Sequence, residues 1–202
     1  MKNFHQFAIS LFVLAAVALS APAIAQTGPV AENAGAHPEL ALTYMYIRSN
    51  APPAGCGCFS MNGGSGSFAW PMGTGRFALV GSVTDTTAQN LLGSGQVLNL
   101  SVYAGGVRYK PFHRGPGQPF GQALLGVAHS SGALVKGQYS VTTNANAALA
   151  TQVGGGVDLR LSRHFALRLA EVNYLLTTFN NATNDRQNSL GLNTGIVFRF
   201  GQ

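Results

Sequence analysis

The strongest constraint on the fold is an alternation of apolar with small or polar residues that recurs along the chain. It is clearest over residues 189–200, where one face carries Leu190, Leu192, Thr194, Ile196, Phe198 and Phe200. The intervening positions are mostly small or polar and include Arg199. Because successive side chains of a strand point to opposite faces, this period predicts β-strands that have one apolar face.

Eight stretches of the chain are predicted to form strands on this basis. They are residues 39–49, 59–70, 75–84, 97–110, 120–130, 149–161, 165–176 and 189–200. In the seventh stretch the phase slips, since Leu167 and Leu169 share a face with Glu171 and Asn173. A β-bulge in this strand would restore the alternation.

Residues 1–25 have the layout of a secretory signal peptide. Lys2 lies near the start, an apolar run covers residues 7–19, and small residues flank a cleavage point after Ala25. A polar lead, residues 26–38, then precedes the predicted barrel domain, residues 39–202. Past the signal, no apolar run approaches the ~20 residues that a membrane helix needs. We therefore expect an exported chain with a cleaved signal peptide.

The connections between the predicted strands alternate in length. Long polar or glycine-rich segments cover residues 50–58, 85–96, 131–146 and 177–188, and shorter or proline-marked turns cover residues 71–74, 111–119 and 162–164. Long loops at one end and short turns at the other are typical of outer-membrane barrels, whose two chain ends lie on the periplasmic, short-turn side. The predicted fold is an all-β, eight-stranded antiparallel up-and-down transmembrane barrel.

The composition supports this assignment. Only 9% of residues are charged and 46% are hydrophobic, which argues against a disordered chain and a helical bundle. Two cysteines are too few for a disulfide-framework miniprotein. The second face of the strands is rich in Gly, Ala, Ser and Asn, which suits the narrow, filled interior of a small membrane barrel. A soluble binding barrel with its apolar face inside is the alternative.

Three stretches carry a family resemblance: residues 119–129 (PFGQALLGVAH), 154–168 (GGGVDLRLSRHFALR) and 190–201 (LGLNTGIVFRFG). With eight predicted strands, long outer loops and an apolar-ended last strand, the chain resembles the small OmpA/OmpX-like outer-membrane β-barrel family over residues 39–200. The three stretches look most similar to uncharacterised acidobacterial members. The resemblance implies a bacterial outer-membrane location and a last strand read by the barrel-assembly machinery. That signal would comprise Leu192, Ile196, Phe198 and Phe200, although Gly201 and Gln202 follow the final aromatic residue.

Cys56 and Cys58 flank a glycine just before the second strand, at the predicted outer end. Paired thiols in an oxidising compartment are expected to form a disulfide. A bridge requires Cα atoms within ~7 Å, which the intervening glycine would allow by bending the chain. We predict a disulfide that staples the loop. A reducible bond or a soft-metal site is the alternative, but no third or fourth ligand lies beside the pair.

His129 and Ser131 lie at the outer end of the fifth predicted strand. Their spacing resembles that of lipid A deacylase, an eight-stranded outer-membrane esterase, and the resemblance would make His129 the base and Ser131 the nucleophile. The glutamate of that family has no counterpart here, because no Asp or Glu occurs between Asp85 and Asp158. A polar residue pair at the barrel rim is the favoured interpretation.

A group of charged residues falls on the small-residue face near the periplasmic end: Asp158, Arg160, Arg168, Glu171 and Arg199. Charges inside a membrane barrel must be paired, so this group is predicted to form an interior salt-bridge cluster. Basic residues also accumulate at the periplasmic end of the topology, where contact with phospholipid is expected: Arg76, Arg108, Lys110, Arg114, Arg160, Arg163 and Arg199. Aromatic residues near the same end, among them Trp70 and Phe165, suggest an interfacial girdle.

The sequence thus predicts a non-enzymatic outer-membrane barrel that stabilises the envelope or interacts with an unknown extracellular partner through its loops. Two alternatives stay open: a lipid A-modifying rim esterase, and a barrel that binds or passes a small apolar ligand. No metal-ligand spacing or phosphate loop is present, so no metal or cofactor is expected. Outer-membrane lipids are expected partners. Nucleic acid is not, because the charges of a chain with net charge +6 are sparse.

Overall fold

The computed structural model describes residues 37–49, 58–73, 75–89, 95–112, 115–132, 134–136, 140–142, 146–180 and 185–201. The strands are β1 (Glu39–Ser49), β2 (Phe59–Met72), β3 (Phe77–Ala88), β4 (Leu98–Tyr109), β5 (Gly117–Gly132), β6 (Leu134–Lys136), β7 (Ser140–Thr142), β8 (Asn146–Arg160), β9 (Phe165–Thr177) and β10 (Gln187–Arg199). Eight of them close into one antiparallel barrel in the order β1-β10-β9-β8-β5-β4-β3-β2. The predicted fold class is confirmed.

The barrel closes between the first and last strands. Along this seam Glu39 lies opposite Arg199 and Ser49 lies opposite Ser189. The loop between β5 and β8 contains a small hairpin, β6–β7, which the sequence pattern did not predict. In addition, β3 continues to Ala88, four residues beyond its predicted end. No helix long enough and apolar enough to cross a bilayer occurs in the described ranges.

A β-bulge in β9 confirms the predicted change of phase. Val157 of β8 pairs with Ala170, but the next residue, Asp158, pairs with Arg168, so Leu169 is the extra residue. Leu169 and Ala170 are both exposed, whereas the residues on either side alternate normally. Thr194 of the neighbouring strand donates a hydrogen bond to the Arg168 carbonyl oxygen at 3.0 Å. The bulge therefore turns Arg168 and Glu171 to the same, interior face.

The first short turn lies two residues later than the sequence suggested. Pro71 belongs to β2, which ends at Met72. The turn itself contains Gly73 and Gly75, with φ angles of 53° and 80°, values that glycine adopts without a steric penalty. The amide of Gly75 donates to the Met72 carbonyl oxygen at 2.9 Å and closes the turn.

The barrel wall is apolar on the outside. Among the described residues, 28 large hydrophobic side chains are exposed, and they are distributed over all eight barrel strands and the residues beside them. Three of the four residues predicted to form the assembly signal, Leu192, Ile196 and Phe200, belong to this surface, while Phe198 packs edge-on against Phe165 at 5.2 Å. An apolar outer wall around an interior that contains buried charged and polar side chains is the arrangement of a transmembrane β-barrel.

Candidate functional site

The lumen has two halves of different chemistry. The half next to the long loops contains buried hydrophobic residues from all the barrel strands except β10: Met45, Ile47, Met61, Ala88, Leu98, Leu100, Val102, Ala128, Ala148, Ala150, Leu175 and Phe179. The half next to the short turns contains the buried charges. We refer to these regions as the apolar half and the charged half of the lumen.

Arg168 is the centre of one ion-pair group in the charged half. Its Nε lies 2.8 Å from Asp158 Oδ1 and its Nη2 lies 3.2 Å from Asp158 Oδ2, so the contact is bidentate. Its Nη1 donates to Glu171 Oε2. The other carboxylate oxygen of Glu171 accepts a hydrogen bond from Asn173 Nδ2 at 2.7 Å. One guanidinium thus binds two carboxylates, and Glu171 accepts a further hydrogen bond from Asn173.

Glu39 is the centre of a second group at the mouth of the barrel. Its carboxylate accepts hydrogen bonds from Lys110 and from Arg199 Nε, the latter at 3.2 Å. Arg108 Nη1 lies 3.9 Å from the same carboxylate. One carboxylate therefore faces three cations. All four side chains are buried, so little water is available to screen the excess positive charge.

Two neutral side chains, Gln122 and Phe120, connect the two groups. Gln122 accepts from Arg108 Nε at 3.0 Å and donates to Glu171 at 2.8 Å. The centre of the Phe120 ring lies 4.6 Å from the guanidinium carbon of Arg108 and 4.5 Å from that of Arg168. Each of these contacts is a cation–π interaction. Gln118 accepts a hydrogen bond from Arg199.

The charged half of the lumen is packed rather than open. Arg108 and Arg168 are each 1% exposed, and Asp158 is 0% exposed. Such side chains cannot meet a substrate that arrives from solvent. Among the described residues, no group of three or more His, Cys, Asp or Glu side chains could hold a metal ion. The arrangement therefore suits cross-linking of the strands better than catalysis.

Five residues were predicted to form an interior cluster. The structure brings three of them together: Asp158, Arg168 and Glu171. Arg199 belongs to the Glu39 group instead, and Arg160 is half-buried one interior position beyond Asp158.

The sequence analysis missed Glu39, Phe120 and the two glutamines, and it assigned Arg108 and Lys110 to the lipid headgroups. The alternation within residues 97–110 carried a usable signal, because it places Arg108 and Lys110 on the same face as Val102. The structure buries both basic side chains inside the barrel.

His129 and Ser131 both lie on the outer face of β5 near its loop end. His129 is exposed and Ser131 is half-buried. Ser101 of β4 pairs with His129, and its hydroxyl donates to Asp85 Oδ2 at 3.4 Å. Within the described part of the chain, no carboxylate accepts a hydrogen bond from the His129 ring. The acid that would orient a catalytic histidine is therefore missing from these residues.

The predicted disulfide involves one residue outside the described ranges. Cys58 immediately precedes β2 and is half-buried, whereas Cys56 is not described. The staple stays a prediction. A thiol count on denatured, unreduced protein is expected to find no free thiol, because adjacent thiols oxidise readily in an exported protein. Two free thiols per chain would contradict the bridge.

The fold can be compared with known proteins. No protein-family model matches this chain, and no curated protein does. The crystal structure of Neisserial surface protein A matches with a TM-score of 0.62 and 14% identity, over 81% of this chain and 97% of that one. The crystal structure of Ail, the attachment invasion locus protein of Yersinia pestis, matches with a TM-score of 0.54 and 12% identity, over 81% of this chain and 99% of that one.

These matches concern the backbone and not the side chains. Both proteins are small outer-membrane barrels, and each is covered almost completely by the alignment. At such low identity the likeness establishes the fold alone. The chain therefore has the fold of the small eight-stranded outer-membrane β-barrels.

Proposed function

We propose that the protein is a non-enzymatic outer-membrane barrel that stabilises the envelope and presents its four long loops to an extracellular partner. Export would use the signal peptide at residues 1–25, with residues 26–38 forming a periplasmic lead to the barrel. The barrel-assembly machinery would recognise β10 together with Phe200. The proposal also includes a relationship to the uncharacterised acidobacterial barrels.

The burial of the interior side chains is the observation that carries this proposal. The charged half is filled by the Arg168 and Glu39 groups. The apolar half is filled by hydrophobic side chains that are at most 9% exposed, together with buried polar ones such as Thr86 and Ser130. A barrel without a water-filled path offers two surfaces for function: the wall that contacts lipid, and the loops. A structural and interactive role uses both of them.

Planar-bilayer recording tests whether the lumen is closed. We expect the refolded protein to add no steady conductance to that of the bare bilayer, because fully buried ion pairs leave no room for a column of water. Phe120→Ala removes the ring beside both guanidinium groups and is expected to leak more than the wild type. Steady channels in the wild-type protein would contradict the closed lumen.

A small apolar ligand is the second candidate, and the apolar half of the lumen favours it. The buried hydrophobic side chains of this half form one cluster from Met45 on β1 to Leu175 on β9, so a ligand would have to displace side chains that now fill the space. Ligand binding would raise the unfolding temperature in proportion to the logarithm of ligand concentration. Long-chain alkanes and fatty acids that leave the unfolding temperature unchanged would eliminate this candidate.

A further inference from the structure

Among the described residues, the exposed charges at the short-turn end of the barrel are all positive. Arg76 lies in the turn between β2 and β3, Arg163 lies in the turn between β8 and β9, and both are exposed. The three described carboxylates of this half, Glu39, Asp158 and Glu171, are buried inside the lumen. Among the described residues, no exposed acid offsets the two arginines at this end.

The opposite end of the barrel differs. Exposed residues of both charges occur at the described loop ends: Arg48, Asp85, Asp185 and Arg186. The asymmetry is therefore not a general consequence of the basic composition. It arises because the acidic side chains of the short-turn end are buried in the lumen, where they form ion pairs with basic side chains.

The lumen adds to the positive potential at the short-turn end. Glu39 faces the cations Arg108, Lys110 and Arg199, and it lies at the first residue of β1, next to the mouth. Among the described residues of the charged half, four buried cations face three buried carboxylates. An uncompensated charge in surroundings of low dielectric constant acts over a longer distance than one in water.

Both exposed arginines are held on ordered turns. The Arg76 carbonyl oxygen accepts a hydrogen bond from the Lys110 amide at 2.8 Å, which fixes its backbone against the end of β4. The turn that contains Arg163 is closed by the amides of Leu161 and Ser162, which both donate to the Phe165 carbonyl oxygen at 3.0 Å. The positions of the two arginines relative to the wall are thereby set by the fold.

A ring of large apolar side chains surrounds the same end. Its exposed members are Trp70, Phe77, Phe112, Leu161, Phe165 and Phe200. Phe77 stacks against Tyr109 with ring centroids 5.0 Å apart. Aromatic side chains of a membrane barrel lie at the boundary between the acyl chains and the headgroups. The arginines on the adjoining turns therefore lie at the level of the headgroup phosphates.

We propose that the short-turn end binds acidic phospholipids of the inner leaflet. Arg76 and Arg163 each bind a separate headgroup, because the β2–β3 and β8–β9 turns lie on opposite sides of the closed barrel. The inference rests on the proposed function, in that the barrel must lie in a bilayer. A guanidinium binds a phosphate through two parallel hydrogen bonds and retains its charge at all relevant pH values. An acidic headgroup also matches the excess positive charge of the mouth, whereas a zwitterionic headgroup does not.

Trp70 offers a direct readout, because it is the one tryptophan in the chain and is 58% exposed on the barrel wall. Its cross-strand neighbour Leu79 is three residues from Arg76, about 10 Å along a strand. Phospholipid brominated on the acyl chain near the headgroup quenches tryptophan fluorescence on contact. The mature protein is refolded into phosphatidylcholine bilayers that contain a small fixed fraction of brominated phosphatidylglycerol or of brominated phosphatidylcholine.

We expect brominated phosphatidylglycerol to occupy the Trp70 site about fivefold more than brominated phosphatidylcholine, the factor that corresponds to on the order of 1 kcal/mol for one basic residue near acidic lipid. Arg76→Gln is expected to reduce this ratio towards one, and high salt is expected to reduce it by screening. Arg48→Gln, at the loop end of β1 and thus at the other end of the barrel, is the matched control and is expected to keep the wild-type ratio.

The outcomes separate this inference from the proposed function. Equal quenching by the two lipids, or a ratio that Arg76→Gln leaves unchanged, would overturn acidic-lipid binding while the barrel remains in the membrane. Absence of quenching by either lipid would mean that Trp70 does not face lipid, and it would contradict the membrane barrel as well.

Discussion

Replacement of Arg168 by methionine is expected to lower the free energy of unfolding by on the order of 3–5 kcal/mol. The variant leaves the carboxylates of Asp158 and Glu171 buried without their cation, and an unpaired charge in the lumen cannot be hydrated. Equilibrium unfolding in urea, measured on protein refolded into lipid vesicles, gives this free energy directly.

Two control variants show whether the loss of stability comes from the unpaired buried carboxylates. The triple variant Asp158→Asn, Arg168→Met, Glu171→Gln removes the charges together and is expected to recover most of the stability. Arg48→Met removes an exposed arginine that bonds to Ser60 Oγ at 2.9 Å, and little change is expected. An Arg168→Met protein as stable as the wild type would contradict the ion-pair group described here.

Alanine at Gly126 is expected to be the second most damaging of these changes, at about 1–3 kcal/mol. A Cβ atom at this interior position would lie 1.9 Å from the Tyr103 carbonyl oxygen and 2.5 Å from the Ala104 Cα. Both contacts are with the backbone of β4, which cannot move without breaking the ladder between β4 and β5. The tight curvature of a small barrel depends on such positions.

Gly81→Ala is the matched control for the Gly126 variant. Gly81 is exposed on the outer wall, and a Cβ there would have no atom within 4 Å. Alanine at this position is expected to leave stability unchanged or to raise it slightly, since glycine weakens a strand. Equal effects of the two alanine substitutions in urea unfolding would refute the close strand approach at Gly126.

The alternation of the sequence predicted the barrel because most barrel strands have an apolar wall face and a small or polar interior face. The prediction was best for β1, whose predicted and observed ends coincide. It failed at the loop end of β3, where Asp85 and Thr87 occupy the outer face. The strand there carries polar residues outside, so the apolar periodicity fades although the hydrogen-bonded ladder continues to Ala88.

The candidate site was less accessible to sequence reasoning than the fold. Alternation places a charged residue inside, but its partner depends on how the barrel closes. Glu39 and Arg199 are 160 residues apart in the chain and meet only across the β1–β10 seam. Arg168 and Glu171 would lie on opposite faces of a regular strand, and the bulge at Leu169 turns both inwards. The bulge was foreseeable, whereas the long-range partners were not.

Gel migration with and without boiling tests whether the apolar face of the barrel is its outer, lipid-facing wall. The mature chain, from residue 26 onwards, is refolded into detergent or lipid and compared with the same sample after boiling. We expect a heat-dependent change in migration, together with a β-type circular dichroism spectrum before boiling. Unchanged migration of a protein that is soluble in plain buffer would mean that the apolar face lies inside, and it would contradict the membrane barrel.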